Sequence, residues 1–147
     1  MIDKVFNIIG QQFITQDIEI IKNIEDITIL SLENELIQVL LNILNNVKDA
    51  LLKLKDEKRL IFINAYTKDK FIVIEIKDNA KGIKEEIIDR IFEPYFTTKH
   101  QSQGTGIGLY MSQNIVKNYL NGTLDVYNED YKYEGVAYTG AKFIIII

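Results

Sequence analysis

Apolar and polar positions along the chain change period several times, and each change marks an element. Val5, Phe6, Ile8, Ile9 and Phe13 recur at helical spacing behind Asp3, a residue type that caps helices, so a short helix is predicted through about Phe13. Two short β-branched runs, Ile18–Ile21 and Ile27–Leu30, flank the polar segment Lys22–Asp26 and read as two strands joined by a turn. Ser31 then caps the longest helix, expected to about Leu54, with Glu33 and Glu35 in its first turn, where the helix dipole favours acids. Leu60–Thr67 and Phe71–Lys77 are β-rich arms of a hairpin turning near Lys68-Asp69. Lys84–Ile91 is a short helix closed by Pro94. A glycine-led helix follows from Gly106 to about Tyr119, with Leu109, Ile115, Val116 and Tyr119 inward. Asn121-Gly122 turns into a strand over Thr123–Tyr127, a tyrosine-rich loop comes next, and Lys142–Ile147 forms a last strand whose isoleucines need a covered sheet position.

The long helix is apolar almost all round. At about 100° per residue, Glu35, Gln38, Asn42, Asn46, Asp49 and Lys53 form one narrow stripe bordered by Asn45. A solvated outer face suits Glu35 and Lys53. The central asparagines fit a cavity lining better, because Asn is a poor helix former and buried amides need partners.

The second hairpin arm runs into Asp78-Asn79-Ala80-Lys81-Gly82-Ile83, a carboxylate in a turn, which by itself is ordinary turn chemistry. Residues 92–109 read as a lid running into a glycine-spaced helix start. Gly104, Gly106 and Gly108 would let backbone N–H groups approach a phosphate. Three phosphate signatures do not match: Gly108 is followed by Leu109-Tyr110 and not by Lys-Ser/Thr, the glycines do not leave a strand, and neither a Val-Ala-Ile-Lys strand nor a His-Arg-Asp loop is present.

The 147 residues suit one domain with a sizeable core. A net charge of −4 offers no basic face for nucleic acid. The absence of cysteine and the presence of one histidine leave no thiol chemistry and no histidine metal cluster. No apolar run is long enough to span a membrane and no signal-peptide pattern is seen. A cytoplasmic location is expected, as the cytoplasmic part of a larger receptor if a membrane segment lies outside this chain.

Four boxes in order, Asn42–Ala50, Asp78–Ile83, Phe92–Lys99 and Gly104–Leu109, closely resemble the catalytic ATP-binding domain of sensor histidine kinases, within the superfamily of gyrase-type and heat-shock-chaperone ATPases. The resemblance covers essentially the whole chain. It implies an α+β fold: a two-layer α/β sandwich with a mixed, mostly antiparallel sheet of about five strands, three helices on one face and an ATP lid. It implies Asn46 as the Mg²⁺ ligand and Asp78 as the adenine reader, an acceptor-only carboxylate that suits N6 of adenine over O6 of guanine. Asp49, Gly82, Ile83, Phe92, Thr98, Gly104, Thr105, Gly106, Ile107, Gly108 and Leu109 would line the nucleotide pocket. Lys99 is either a solvated charge or a γ-phosphate contact, and His100 either a solvated lid residue or a phosphate sensor. Tyr127, Tyr131, Tyr133 and Tyr138 read as surface and strand packing.

Two departures stand out: Ala80 where relatives often carry Gly, and Ala141 where many carry Thr. Asn42 is the more telling position, because ATPase relatives place there a Glu that activates water, and an amide cannot accept a proton. The implied activity is γ-phosphoryl transfer from Mg-ATP to a histidine on a separate dimerisation domain, homodimeric in the full-length kinase, with a response regulator downstream. An ATP hydrolase driving conformational change and a non-catalytic nucleotide-sensing module are the alternatives.

Overall fold

The computed structural model describes residues 2–27, 32–96 and 107–147. Its elements are α1 (Ile2–Thr15), β1 (Ile18–Ile24), α2 (Glu33–Leu51), β2 (Arg59–Lys68), β3 (Phe71–Asp78), α3 (Glu85–Ile88), α4 (Gly108–Asn118), β4 (Thr123–Tyr133) and β5 (Val136–Ile146). The five strands form one sheet in the order β1-β2-β3-β5-β4. Only β1 and β2 pair in parallel, and the other three pairings are antiparallel. The expected mixed, mostly antiparallel α+β sandwich is therefore the one observed.

Period-two alternation decides which sheet face is covered. Ile61, Ile63 and Ala65 of β2, Ile74 and Ile76 of β3, Leu124 of β4, and Phe143 and Ile145 of β5 are buried together. They meet the apolar sides of α1 (Val5, Ile9, Phe13), α2 (Leu36, Val39, Leu40, Ile43, Leu44, Val47, Leu51) and α4 (Ile115, Val116) in one core. The opposite face is polar and aromatic. Lys77, Lys142, Glu75 and Glu129 form an ion-pair chain there, with Lys142–Glu75 at 3.1 Å and Lys77–Glu129 at 3.5 Å. Phe62 stands edge-on to Tyr131 and Tyr133. These rings pack within the sheet face, as expected for the tyrosines.

Several sequence expectations need correction. Lys22, Asn23 and Ile24 belong to β1, because parallel pairing with Lys22↔Ile63 through Ile24↔Ala65 overrides their polarity at the sheet edge. Ile27 is not in a strand, and the rest of that predicted strand and the Ser31 cap lie outside the described residues. Leu32 occupies the N-cap position of α2 in the left-handed conformation, without a side-chain cap. That helix ends at Leu51, not Leu54. The tyrosine-rich loop is instead the outer half of a long β4–β5 hairpin, closed by Glu134 and Gly135 with φ of 50° and 80°, the paired positive angles of a tight hairpin turn. Tyr119, expected inward, is 61% exposed beyond the end of α4. No helix among the described residues is long and apolar enough to cross a membrane.

Candidate nucleotide site

Asp78 is the last residue of β3, on the helix-covered face with Ile74 and Ile76, and is 2% exposed. An ionised carboxylate at that depth requires donors, and two backbone N–H groups supply them: Ala80 at 2.9 Å and Ala141 at 3.1 Å, both to Oδ1. Oδ2 is therefore the oxygen that a ligand donor would meet. Burial pushes the carboxyl up to about 6, the two N–H groups holding it lower than burial alone would. Behind it, the Tyr131 hydroxyl donates to the Asp78 carbonyl at 2.6 Å. Burial, and then the Asp78 charge, raise the Tyr131 hydroxyl and keep it a donor. Gly140 of β5 passes so close that a Cβ there would collide with the Asp78 carbonyl, which explains a glycine inside a central strand.

The segment after Asp78 is tied down at each step. Asn79 is buried, and its side chain bonds Leu60 N–H and Lys58 C=O. Lys81 N–H donates to Thr139 C=O at 2.9 Å. The positive φ angles fall on Lys81 (73°) and Gly82 (79°), whereas Ala80 is not among the positive-φ residues, so the alanine in place of glycine meets no backbone conflict. A cleft of about 470 Å³ opens beside this segment, lined by Ala50 at the end of α2 and by Ala80, Lys81 and Gly82.

The polar stripe of α2 faces the start of α4. Asn42 Nδ2 donates to Ser112 Oγ at 3.1 Å and approaches the Gly108 carbonyl at 3.5 Å. Asn46 Nδ2 donates to the Asn42 carbonyl at 2.8 Å, so its amide oxygen is the atom suited to a hard cation. Asn42, Asn45, Asn46 and Asp49 are all half-buried, in keeping with a cavity lining and not a fully solvated face. Among the described residues no group of three or more His, Cys, Asp or Glu is gathered. Ile107, Gly108 and Leu109 form the start of α4, Leu109 packing on the core. The Phe92 ring is turned edge-on to Phe143, 6.5 Å between centroids, so that side chain packs toward the core. Thr97, Thr98, Lys99, His100, Gly104, Thr105 and Gly106 lie outside the described residues.

The sequence reading passed over two side chains, Ser112 and Asn128, and gave a third, Tyr131, only a packing role. Ser112, fully buried, fixes Asn42. Tyr131 braces Asp78, and Asn128 bonds Ile83. A serine on the inward face of an apolar helix is the only one of these with a signal in the pattern.

Comparison with known proteins matches residues 31–147 to the family described as histidine kinase-, DNA gyrase B-, and HSP90-like ATPase. The two-component sensor PprA of Pseudomonas aeruginosa is 36% identical over 99 residues, 65% of this chain and 11% of that protein. A probable C4-dicarboxylate sensor kinase of Halalkalibacterium halodurans is 31% identical over 119 residues, 81% of this chain and 21% of that protein. Among solved structures, the catalytic domain of histidine kinase ThkA superposes with a TM-score of 0.78 at 25% identity, covering 99% of this chain and 90% of the other. The chain belongs to the histidine kinase-, DNA gyrase B-, and HSP90-like ATPase family, in its sensor-kinase catalytic-domain branch. It spans between 11% and 21% of the length of these two curated relatives.

Proposed function

We propose that this domain binds Mg-ATP and presents its γ-phosphoryl group to a histidine on a separate helical dimerisation domain, as the catalytic part of a homodimeric two-component sensor kinase that passes the phosphoryl group to a response regulator. The observation that carries the reading is the Asp78 carboxylate: buried, held through Oδ1 by two N–H groups, with Oδ2 left to accept from an adenine N6 amino group. A carboxylate would otherwise not be kept at such depth, since burial makes its ionised form costly.

Each assigned residue has one task in this reading. Asp78 selects the base, and the backbone of Gly82 and Ile83 forms the purine edge. Asp49 and Phe92 border the pocket, and the amide oxygen of Asn46 is the protein ligand for Mg²⁺. The start of α4, with Ile107, Gly108 and Leu109, offers N–H groups to the phosphates, and the family resemblance assigns Gly104, Thr105 and Gly106 to the same task. Thr98 and Lys99 are assigned to the γ-phosphate by the family resemblance alone. Positioning and charge neutralisation carry the transfer, with no covalent step on this chain.

Asn42 favours transfer over hydrolysis. Its amide acts as a donor to Ser112 and cannot take a proton from water, and loss of a general base commonly costs on the order of 10² to 10⁴ in rate. Calorimetric titration tests the base-reading step: ATP and ADP should bind well above GTP, and Asp78→Asn should abolish that preference. Equal affinity for ATP and GTP in the unsubstituted domain would remove the assignment.

A further inference from the structure

Two asparagine side chains hold the two ends of the segment between β3 and α3, each using both the donor and the acceptor of its amide. Asn79 Oδ1 accepts from Leu60 N–H at 2.9 Å while its Nδ2 donates to Lys58 C=O at 2.8 Å. Asn128, projecting from β4, accepts from Ile83 N–H at 2.8 Å and donates to Ile83 C=O at 2.6 Å. The Asn79 amide thus bridges Lys58 and Leu60, whereas the Asn128 amide engages both backbone groups of one residue, as a neighbouring strand would. Asn128 lies opposite Ala141 in the β4–β5 register, and Ala141 N–H is one of the two donors to Asp78. The side chain that holds Ile83 and the backbone that holds Asp78 therefore sit on one rung of the sheet.

The two ends differ in what else supports them. Asp78 is fixed without Asn128, through Ala80, Ala141 and Tyr131. Ile83, among the described residues, places both of its backbone bonds on Asn128. Between these points the chain passes through two consecutive positive-φ residues, Lys81 and Gly82, and the first of these carries a side chain that disfavours the conformation. Such a turn persists where its surroundings hold it. A Cβ added at Gly82 would stand 2.8 Å from Asn128 Oδ1, so the glycine and the asparagine are fitted to each other.

We infer that Asn128 is a positioning residue for nucleotide binding: it acts through Ile83 to keep the Gly82–Ile83 backbone assembled as the purine edge before the ligand arrives. The inference rests on the adenine-pocket reading above. If the Ile83 end were released, only a fraction of molecules would hold the edge in place, and apparent affinity would drop by that fraction. Two hydrogen bonds toward the weaker end of the ordinary net range correspond to about a tenfold effect.

The test titrates Mg-ADP into the full 147-residue chain and into Asn128→Ala and Asn128→Asp at neutral pH, with amide hydrogen exchange followed on the same samples. Asn128→Asp keeps the shape and the acceptor but sets a carboxylate oxygen against the Ile83 carbonyl, so it probes the donor separately. Both variants are expected to bind about tenfold more weakly and to exchange the Ile83 amide faster, while the amides of β2, β3 and β5 stay as protected as in the parent chain. Unchanged affinity alongside faster Ile83 exchange would overturn the inference. Weakened binding accompanied by lost protection across the whole sheet would overturn it too, because Asn128 would then be a general stability residue. Failure of the unsubstituted chain to take up ADP would sink the adenine reading and this inference with it, and is recognised before any variant is compared.

Discussion

Lowering the pH from neutral to about 5 should move two properties of this domain in opposite directions, both through Asp78. With its carboxyl raised to about 6, only about a tenth of the molecules hold Asp78 ionised at about pH 5, so affinity for Mg-ATP should fall about tenfold. The geometry gives the reason. Oδ1 is committed to two N–H groups, so the proton goes to Oδ2, which becomes a donor facing the donor N6 of adenine. Stability of the ligand-free domain should move the other way. The folded-state pKa of about 6 lies above the ordinary 3.8, so between these values the folded state binds more protons than the unfolded one. The cost of burying the charge is fully present above about pH 6 and is relieved as pH falls toward about 4, amounting to about 3 kcal/mol for about two pH units at 1.36 kcal/mol each. Asp78→Asn mimics the protonated form and should be the more stable protein at neutral pH by up to that amount. Calorimetry with Mg-ATP and urea denaturation at about pH 7, 6 and 5 read the two trends, and the residual pH dependence of Asp78→Asn reports the phosphates and every other titrating group. Affinity that stays flat once that background is removed, or a parent chain that loses stability in acid relative to Asp78→Asn, would refute the reasoning.

Asn46→Ala should weaken Mg-dependent ATP binding more than metal-free binding, measured by titration with and without the metal. Asn42→Ala should lose little of the Mg-dependent increment but cost about 1–2 kcal/mol in denaturant unfolding, because it leaves the buried Ser112 hydroxyl without its amide partner. Equal Mg-dependent losses in the two variants would mean that the metal role is assigned to the wrong turn of α2. Gly140→Ala should destabilise by about 3 kcal/mol or more, since its Cβ meets the Asp78 carbonyl inside a central strand, and thermal unfolding is the check.

Where one face of an element is buried and the other wet, the sequence was enough. Apart from Ile8 and Tyr119, which are 60% and 61% exposed, the apolar sides expected for α1, α2 and α4 face the core and the β2–β3 hairpin forms as expected, and the half-buried asparagines of α2 were visible as residues too polar for their neighbourhood. The pattern failed where that contrast vanishes. From Asn128 to Tyr133, Asn-Glu-Asp-Tyr-Lys-Tyr carries no apolar alternation, and the strand is held by cross-strand pairing with β5. Glu134-Gly135 was the available turn signal there. Lys22–Ile24 escaped notice because a parallel partner far along the chain supplies its pairing. Asp78 was singled out as a candidate site residue by its box, but its supports were not. Asn128 and Tyr131 act through pairings between β4, β5 and the β3 end that only the folded sheet creates, and neither carries a local signature.

The division of labour between this domain and an acceptor histidine is tested most directly by incubation with γ-labelled ATP, with and without a helical dimerisation domain carrying that histidine. The chain alone should bind ATP while releasing little phosphate and taking up no label, since Asn42 offers no base and a histidine so near the glycines in sequence is not expected to reach in-line geometry. With the partner domain present, acid-labile label should appear on the partner's histidine, and His100→Gln should leave that transfer largely intact. Brisk phosphate release by the chain alone, or label on His100, would contradict the account.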